Sequence, residues 1–109
     1  MNDKQKQLLE KEFKVNDEFS ISRGDYESMP CPMLAWTWSD EQMEELAKNI
    51  AVELTNYNYD ETSPDYQWRK RDNFWIEMEN CAVRLGLEYY EDFDEDYLAE
   101  LEYDWLSVE

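Results

Sequence analysis

Apolar residues recur most regularly between positions 40 and 57. Met43, Leu46, Ala47, Ile50, Ala51, Leu54 and Tyr57 follow one another at three- and four-residue steps, with polar residues between them. This period predicts an amphipathic helix near 40–57. Ser39-Asp40-Glu41-Gln42 stands before it as a capping box, in which the serine covers a free backbone N–H and Gln42 reaches back. A longer segment follows at Ser63–Gly86, and its pattern predicts a helix near 64–85. Ser63 is read as the N-cap, Pro64 as the first helical residue and Gly86 as the left-handed stop, with Leu87 folding back on the last turn. Trp68, Phe74, Trp75, Ile76, Met78, Cys81, Ala82, Val83 and Leu85 cover more than half of its circumference. That width predicts packing on two sides. Arg71 falls inside the apolar arc and is expected to pair with a carboxylate of another helix. Lys70 and Glu77 fall on the polar side.

Phe93, Tyr97, Leu98, Leu101, Trp105 and Val108 repeat with a helical period, so a shorter helix is expected near 93–106, capped by Asp92 or Asp94. Residues 3–14 read as a marginal N-terminal helix carrying Leu8, Leu9 and Phe13. Phe19 and Ile21 alternate with polar neighbours, enough for one extended piece. Pro30 and Pro32 bracket Cys31 and oppose a helix there. Met33–Trp38 is an apolar run, read as a buried strand or a loop plugging the core. The expected fold is mostly α: a small single-domain helical bundle of three to four helices, with the helices near 40–57 and 64–85 antiparallel. The alternative is a small α+β fold in which Phe19–Ser22 and Met33–Trp38 form one short strand pair. All 109 residues read as one domain, and no internal repeat is found.

Composition changes this picture in one respect. The chain carries 28 acidic and 10 basic residues, a net charge of −18. High charge with low hydropathy is the mark of disorder, but five Trp, eight Tyr and four Phe at helical spacing argue for a folded core. The acid is uneven. The first fifteen residues hold four lysines, whereas Glu88–Glu109 holds ten acids and no base. Membrane insertion is not expected, for want of an apolar run of about eighteen residues. A soluble, cytoplasmic protein with reduced thiols is the expectation.

Reaction chemistry finds little support. The chain has no His and only two Cys, so ordinary zinc sites and thiol or serine catalysis lack their partners. Asp92, Asp94 and Asp96 imitate the first three ligands of a calcium loop, but Tyr97 replaces its glycine and Tyr103 its bidentate glutamate. Arg23-Gly24-Asp25 spells an adhesion tripeptide, with Gly24 better read as a turn. No enzyme, metal or cofactor is expected. Direct nucleic-acid binding is opposed by the net charge, and Arg69, Lys70 and Arg71, being adjacent, do not share a helix face.

The charge points to a basic protein partner, itself nucleic-acid-binding. Glu91, Asp92, Glu95, Asp96 and Glu102 are the leading candidate contacts, with Glu41, Glu44 and Glu45 second, each acting as a phosphate-like acceptor for Lys or Arg. In size, composition and helical acidity the chain resembles the loose class of DNA-mimic inhibitors made by phages and mobile elements, including anti-restriction and anti-CRISPR proteins. The resemblance is one of general character and implies a non-enzymatic inhibitor. Two other uses fit the sequence: a small adaptor binding through an apolar patch at Trp36 and Trp38, and an antitoxin-like neutraliser. A monomer or small homo-oligomer is expected.

Overall fold

The fold is built around the helix that the sequence marks most clearly. In a computed structural model of the chain, residues 2–25, 33–87 and 94–108 are described, with Met33 and Leu34 by their backbone alone. In chain order the elements are α1 (Asp3–Glu10), β1 (Glu12–Lys14), β2 (Ser20–Ser22), α2 (Met33–Trp36), α3 (Asp40–Leu54), α4 (Tyr66–Arg84) and α5 (Glu95–Leu106). Four helices of eight residues or more and one short antiparallel strand pair make it mostly α.

Helix α3 begins as its capping box predicts. Gln42 N–H donates to Ser39 Oγ at 3.1 Å, and Ser39 N–H donates to Gln42 Oε1 at 2.7 Å. Met43, Leu46, Ala47, Ile50 and Leu54 are buried at its inner face. Phe74, Met78, Cys81 and Ala82 of α4 join the same core, together with Phe13 and Ile21 of the strands and Leu101 of α5. The last turn of α3 meets both ends of α4. Leu54 and Thr55 line a cavity with Tyr66 and Lys70, and Glu53 pairs with Arg84 at 3.3 Å. Helix α4 therefore crosses the end of α3, where an antiparallel pair would run alongside it.

The two ends of α4 differ in how well they follow expectation. Its C-terminus is a Schellman stop: Gly86 has φ +74°, Leu87 N–H donates to Ala82 O at 2.9 Å and Gly86 N–H to Val83 O at 3.0 Å. Its start is two residues later than predicted. Ser63 and Pro64 form a turn closed by Tyr66 N–H to Ser63 O at 3.2 Å, and the Ser63 hydroxyl donates to the Asp65 carboxylate. Asp65 is the N-cap residue but caps no backbone N–H, because its carboxylate holds Arg69 at 2.7 Å instead.

The N-terminal segment also differs. Helix α1 stops at Glu10, and Glu12–Lys14 pairs with Ser20–Ser22, placing Phe13 directly opposite Ile21. The local alternation Glu12-Phe13-Lys14 matches the pleat, so one side chain enters the core and its neighbours stay wet. Met33–Trp38, expected as a strand or loop, forms the one-turn helix α2 and its exit. Consequently the strand pair of the α+β alternative exists, but with Glu12–Lys14 as the partner of Ser20–Ser22.

The corner between these elements is held by Arg23, which is 4 % exposed. Its guanidinium donates to Ala35 O at 3.2 Å, to Trp38 O and to the Asp40 carboxylate, and lies 5.6 Å from the Phe13 ring. Burial of Arg23 overturns any adhesion role for Arg23-Gly24-Asp25. Arg23→Ala is expected to cost about 3 kcal/mol in urea unfolding, because it leaves the Trp38 carbonyl without its side-chain donor and takes one partner each from the Ala35 carbonyl and the Asp40 carboxylate, and Arg23→Lys recovers less than half, since one ammonium cannot span the fork.

Asp40 accepts from Lys11 as well as Arg23. The Lys11 hydrogen bond first, then the charges of both bases, hold its carboxyl below the ordinary 3.8, against the opposing effect of partial desolvation. Its folded pKa lies below its unfolded one, so its contribution is complete above the unfolded value and is lost as the pH falls through the folded one. Asp40→Asn is expected to give a urea midpoint that falls less steeply than that of the wild type as the pH is lowered below about 4.

Candidate functional site

Helix α5 presents most of its surface to solvent. Asp94 caps it, accepting Tyr97 N–H at 2.7 Å, so Asp94 serves the helix start. Glu95 and Asp96 follow in the first turn, where the helix dipole favours negative charge. Leu98, Leu101 and Trp105 recur at i, i+3 and i+7 and form the seating stripe; the last two are 7 % and 5 % exposed. Trp105 meets Trp36 of α2 edge-on, with ring centroids 6.0 Å apart at 72°. The other nine residues of α5 are exposed, five of them acidic and none basic.

The far end of α5 is closed by the start of the chain. Gln5, 2 % exposed, donates from its side-chain amide to Trp105 O, and Asn2 does the same to Val108 O. The Gln5 amide joins Val108 N–H on the Trp105 carbonyl, and the Asn2 amide supplies a donor to the Val108 carbonyl just past the helix end. Both donors are neutral, so docking α1 leaves the negative charge of α5 uncompensated.

The predicted contact residues divide into two groups. Glu95, Asp96 and Glu102 stand exposed on α5, and Glu41, Glu44 and Glu45 stand exposed on the first turns of α3. Glu91 and Asp92 lie outside the described residues. The groups stand on different helices: α5 rests chiefly on α2, whereas α3 packs on α4 and β1. Trp36 and Trp38 do not make an exposed patch. Trp38 is 6 % exposed within the core and Trp36 is half-buried against Trp105.

Among the described residues, the ion pairs engage a different set of acids. Asp40, Asp17, Asp65, Glu18 and Glu53 hold Lys11, Lys14, Arg23, Arg69, Lys70 and Arg84. None of Glu41, Glu44, Glu45, Glu95, Asp96 and Glu102 takes part. Lys70 is 6 % exposed, reaches Glu18 at 2.5 Å and sits 4.4 Å above the Tyr66 ring. The hydrogen bond to Glu18 is the main reason its pKa is raised above the ordinary 10.5. Tyr57 donates its hydroxyl to buried Glu77 at 2.7 Å, and that bond raises the phenol above its ordinary value.

Two expectations about α4 are corrected here. Lys70 and Glu77, assigned to the polar side, are buried, whereas Trp68, Ile76 and Val83 are 70 %, 50 % and 57 % exposed. Helix α4 packs on one side only, because the strand pair and the α3–α4 connection supply polar partners for the face that the sequence marks as wet. Arg71 is exposed and forms no ion pair among the described residues; it borders a groove of about 480 Å³ with Phe19, Gln67 and Trp68. Sequence reasoning also missed the exposed Tyr103 and Leu106 of α5, which the acid around them overshadows.

No helix among the described residues is long and apolar enough to cross a membrane. No protein-family model matches the chain, and comparisons with curated proteins and with solved structures found no match.

Unpaired carboxylates at i, i+4, such as Asp96 and Glu100 or Glu41 and Glu45, repel one another in the folded helix. Raising NaCl from about 0.02 M to about 0.3 M is therefore expected to raise the thermal midpoint by screening. A midpoint that fell over this range would show that the internal ion pairs outweigh the repulsion.

Proposed function

We propose that this chain is a non-enzymatic binding protein that inhibits a basic, nucleic-acid-handling protein by presenting a phosphate-like carboxylate surface. The observation that carries the reading is α5, whose five acids are all exposed, unaccompanied by a base and outside every ion pair among the described residues. Carboxylates in this arrangement repel one another until Lys or Arg side chains arrive from outside. The helix also spaces them suitably. Acids four residues apart rise about 6 Å along the axis, close to every second phosphate of a DNA strand at about 3.4 Å each. Glu41, Glu44 and Glu45 supply a second set of exposed acids on α3. The partner is met in the cytoplasm, and anti-restriction or anti-CRISPR action is the form that the composition suggests. An antitoxin-like role uses the same surface and differs only in the partner.

The test is capture from a nuclease-treated host lysate, with washes at low and at about 0.5 M salt and identification of the captured proteins. Basic nucleic-acid enzymes are expected at low salt, lost at high salt and displaced by added duplex DNA. Glu95→Lys/Asp96→Lys/Glu102→Lys should abolish their capture, whereas each single change should weaken it less than about tenfold. If the triple variant holds the same proteins as the wild type, the reading is wrong.

A further inference from the structure

The outer face of α5 is not uniformly acidic. Ala99, Tyr103 and Leu106 lie along it at i, i+4 and i+7, a single stripe, and Tyr103 and Leu106 are 73 % and 67 % exposed. This stripe is turned away from the seating residues Leu98, Leu101 and Trp105, roughly 130° round the helix. Glu95 and Glu102 run along one edge of it and Glu100 along the other. Steps of four and three between these positions, with charge on both flanks, give one heptad of the kind of seam that a second amphipathic helix can cover. Asp96, one helical turn before Ala99, continues the seam at its N-terminal end.

A surface that only imitated phosphate would gain nothing from a leucine and a tyrosine in its centre. Exposed side chains of this kind mark docking surfaces when they fall together. The flanks state the chemistry of the occupant. All three are glutamates, and α5 has no base, so the facing helix must carry Lys or Arg beside its apolar stripe. The α5 of a second copy is excluded as occupant, since two α5 helices would set glutamate against glutamate. The other exposed apolar face, Trp68, Ile76 and Val83 on α4, mixes Arg71 with Asp72 and Glu79 and selects no sign of charge.

We propose that this seam of α5 docks an amphipathic helix of the partner protein, apolar along its centre and flanked by Lys or Arg. The proposal rests on the reading of a basic partner given above and specifies what that partner presents.

The probes are a labelled three-heptad peptide with Leu at its seam positions and Lys at its flanks, the same peptide with Glu at its flanks, and an oligolysine of equal charge. The intact protein is expected to bind the Leu–Lys peptide and not the Leu–Glu peptide. Tyr103→Ser/Leu106→Ser should weaken the Leu–Lys peptide at least about tenfold and change oligolysine binding less than about twofold. Both side chains are exposed, and an unchanged thermal midpoint checks that the fold survives. Trp68→Ser/Ile76→Ser on α4 should leave the affinity unchanged. The proposal fails if the Leu–Lys peptide does not bind, if the Tyr103/Leu106 variant binds it like the wild type, or if the α4 variant loses it instead. Glu95→Lys/Glu100→Lys/Glu102→Lys separates the two ideas. If it leaves oligolysine binding untouched, the carboxylate reading fails, whatever the Tyr103/Leu106 variant shows.

Discussion

A buried guanidinium must find acceptors, and Arg23 finds them at the junction of four elements. Its donors go to the carbonyls of Ala35 and Trp38, at and just beyond the end of α2, and to Asp40 at the start of α3. A one-turn helix has no stability of its own, because nucleation fixes several residues for one hydrogen bond. Arg23 offsets that cost by adding a second donor to the Ala35 carbonyl, which also accepts Trp38 N–H, and by binding the Trp38 carbonyl just beyond the helix. Its Nε remains buried without a partner, which shows how fully the three bonds dictate its pose. Through α2 the constraint reaches α5, since Trp36 is the surface on which Trp105 rests. The position of the acidic helix thus depends on a base at the end of β2, far away in the chain.

The same economy governs the other bases. Lys70 ties the strand-connecting loop to α4 through Glu18, beside the stacked pair Phe19 and Phe74 at 4.7 Å. Arg84 ties α4 to α3 through Glu53. Pairs at the surface contribute little to stability, but a buried cation that lost its partner would be costly, so Arg23 and Lys70 act mainly as position markers. With six of ten bases engaged between residues 11 and 84, the charge of the molecule becomes polarised. α5 is held by an apolar stripe and two neutral amides.

The parts of this architecture that could be read from sequence are those decided within a few residues. Ser39 with Gln42, Gly86 with Leu87, and Asp94 are local caps, and their chemistry does not depend on what lies across the core. The parts that could not be read are those decided by tertiary neighbours. Helix α4 has an apolar arc too wide to say which half is buried, and the strand pair chose the half that includes Lys70 and Glu77, leaving Trp68 and Ile76 outside. Phe13 fits a helical or an extended reading equally well, and pairing with Ile21 decided for the strand. Ser63 looked like a cap, but its hydroxyl turned to Asp65. At the candidate site the acids were legible as a composition. Their division between α3 and α5 was not, and neither was the exposure of Tyr103 and Leu106, because a residue of either type is more often inside.

These carboxylates fall into two physical classes. Asp40, Asp65, Glu18, Glu53 and Glu77 are acceptors for the molecule's own donors, and the fold would lose contacts without them. The acids of α5 accept nothing from the described residues; Glu95 and Asp96 suit the helix start, and beyond that first turn the effect of the acids on the isolated protein is repulsion. Their value therefore lies in encounter. Long-range attraction speeds and orients the approach of a cation-bearing surface, while contacts that survive screening set how long it stays. Tyr103 and Leu106, placed between Glu95, Glu100 and Glu102, put a source of residence time within the source of attraction. A helix that carries both on one face, with its opposite face fixed to the core, can bind without paying to order itself first.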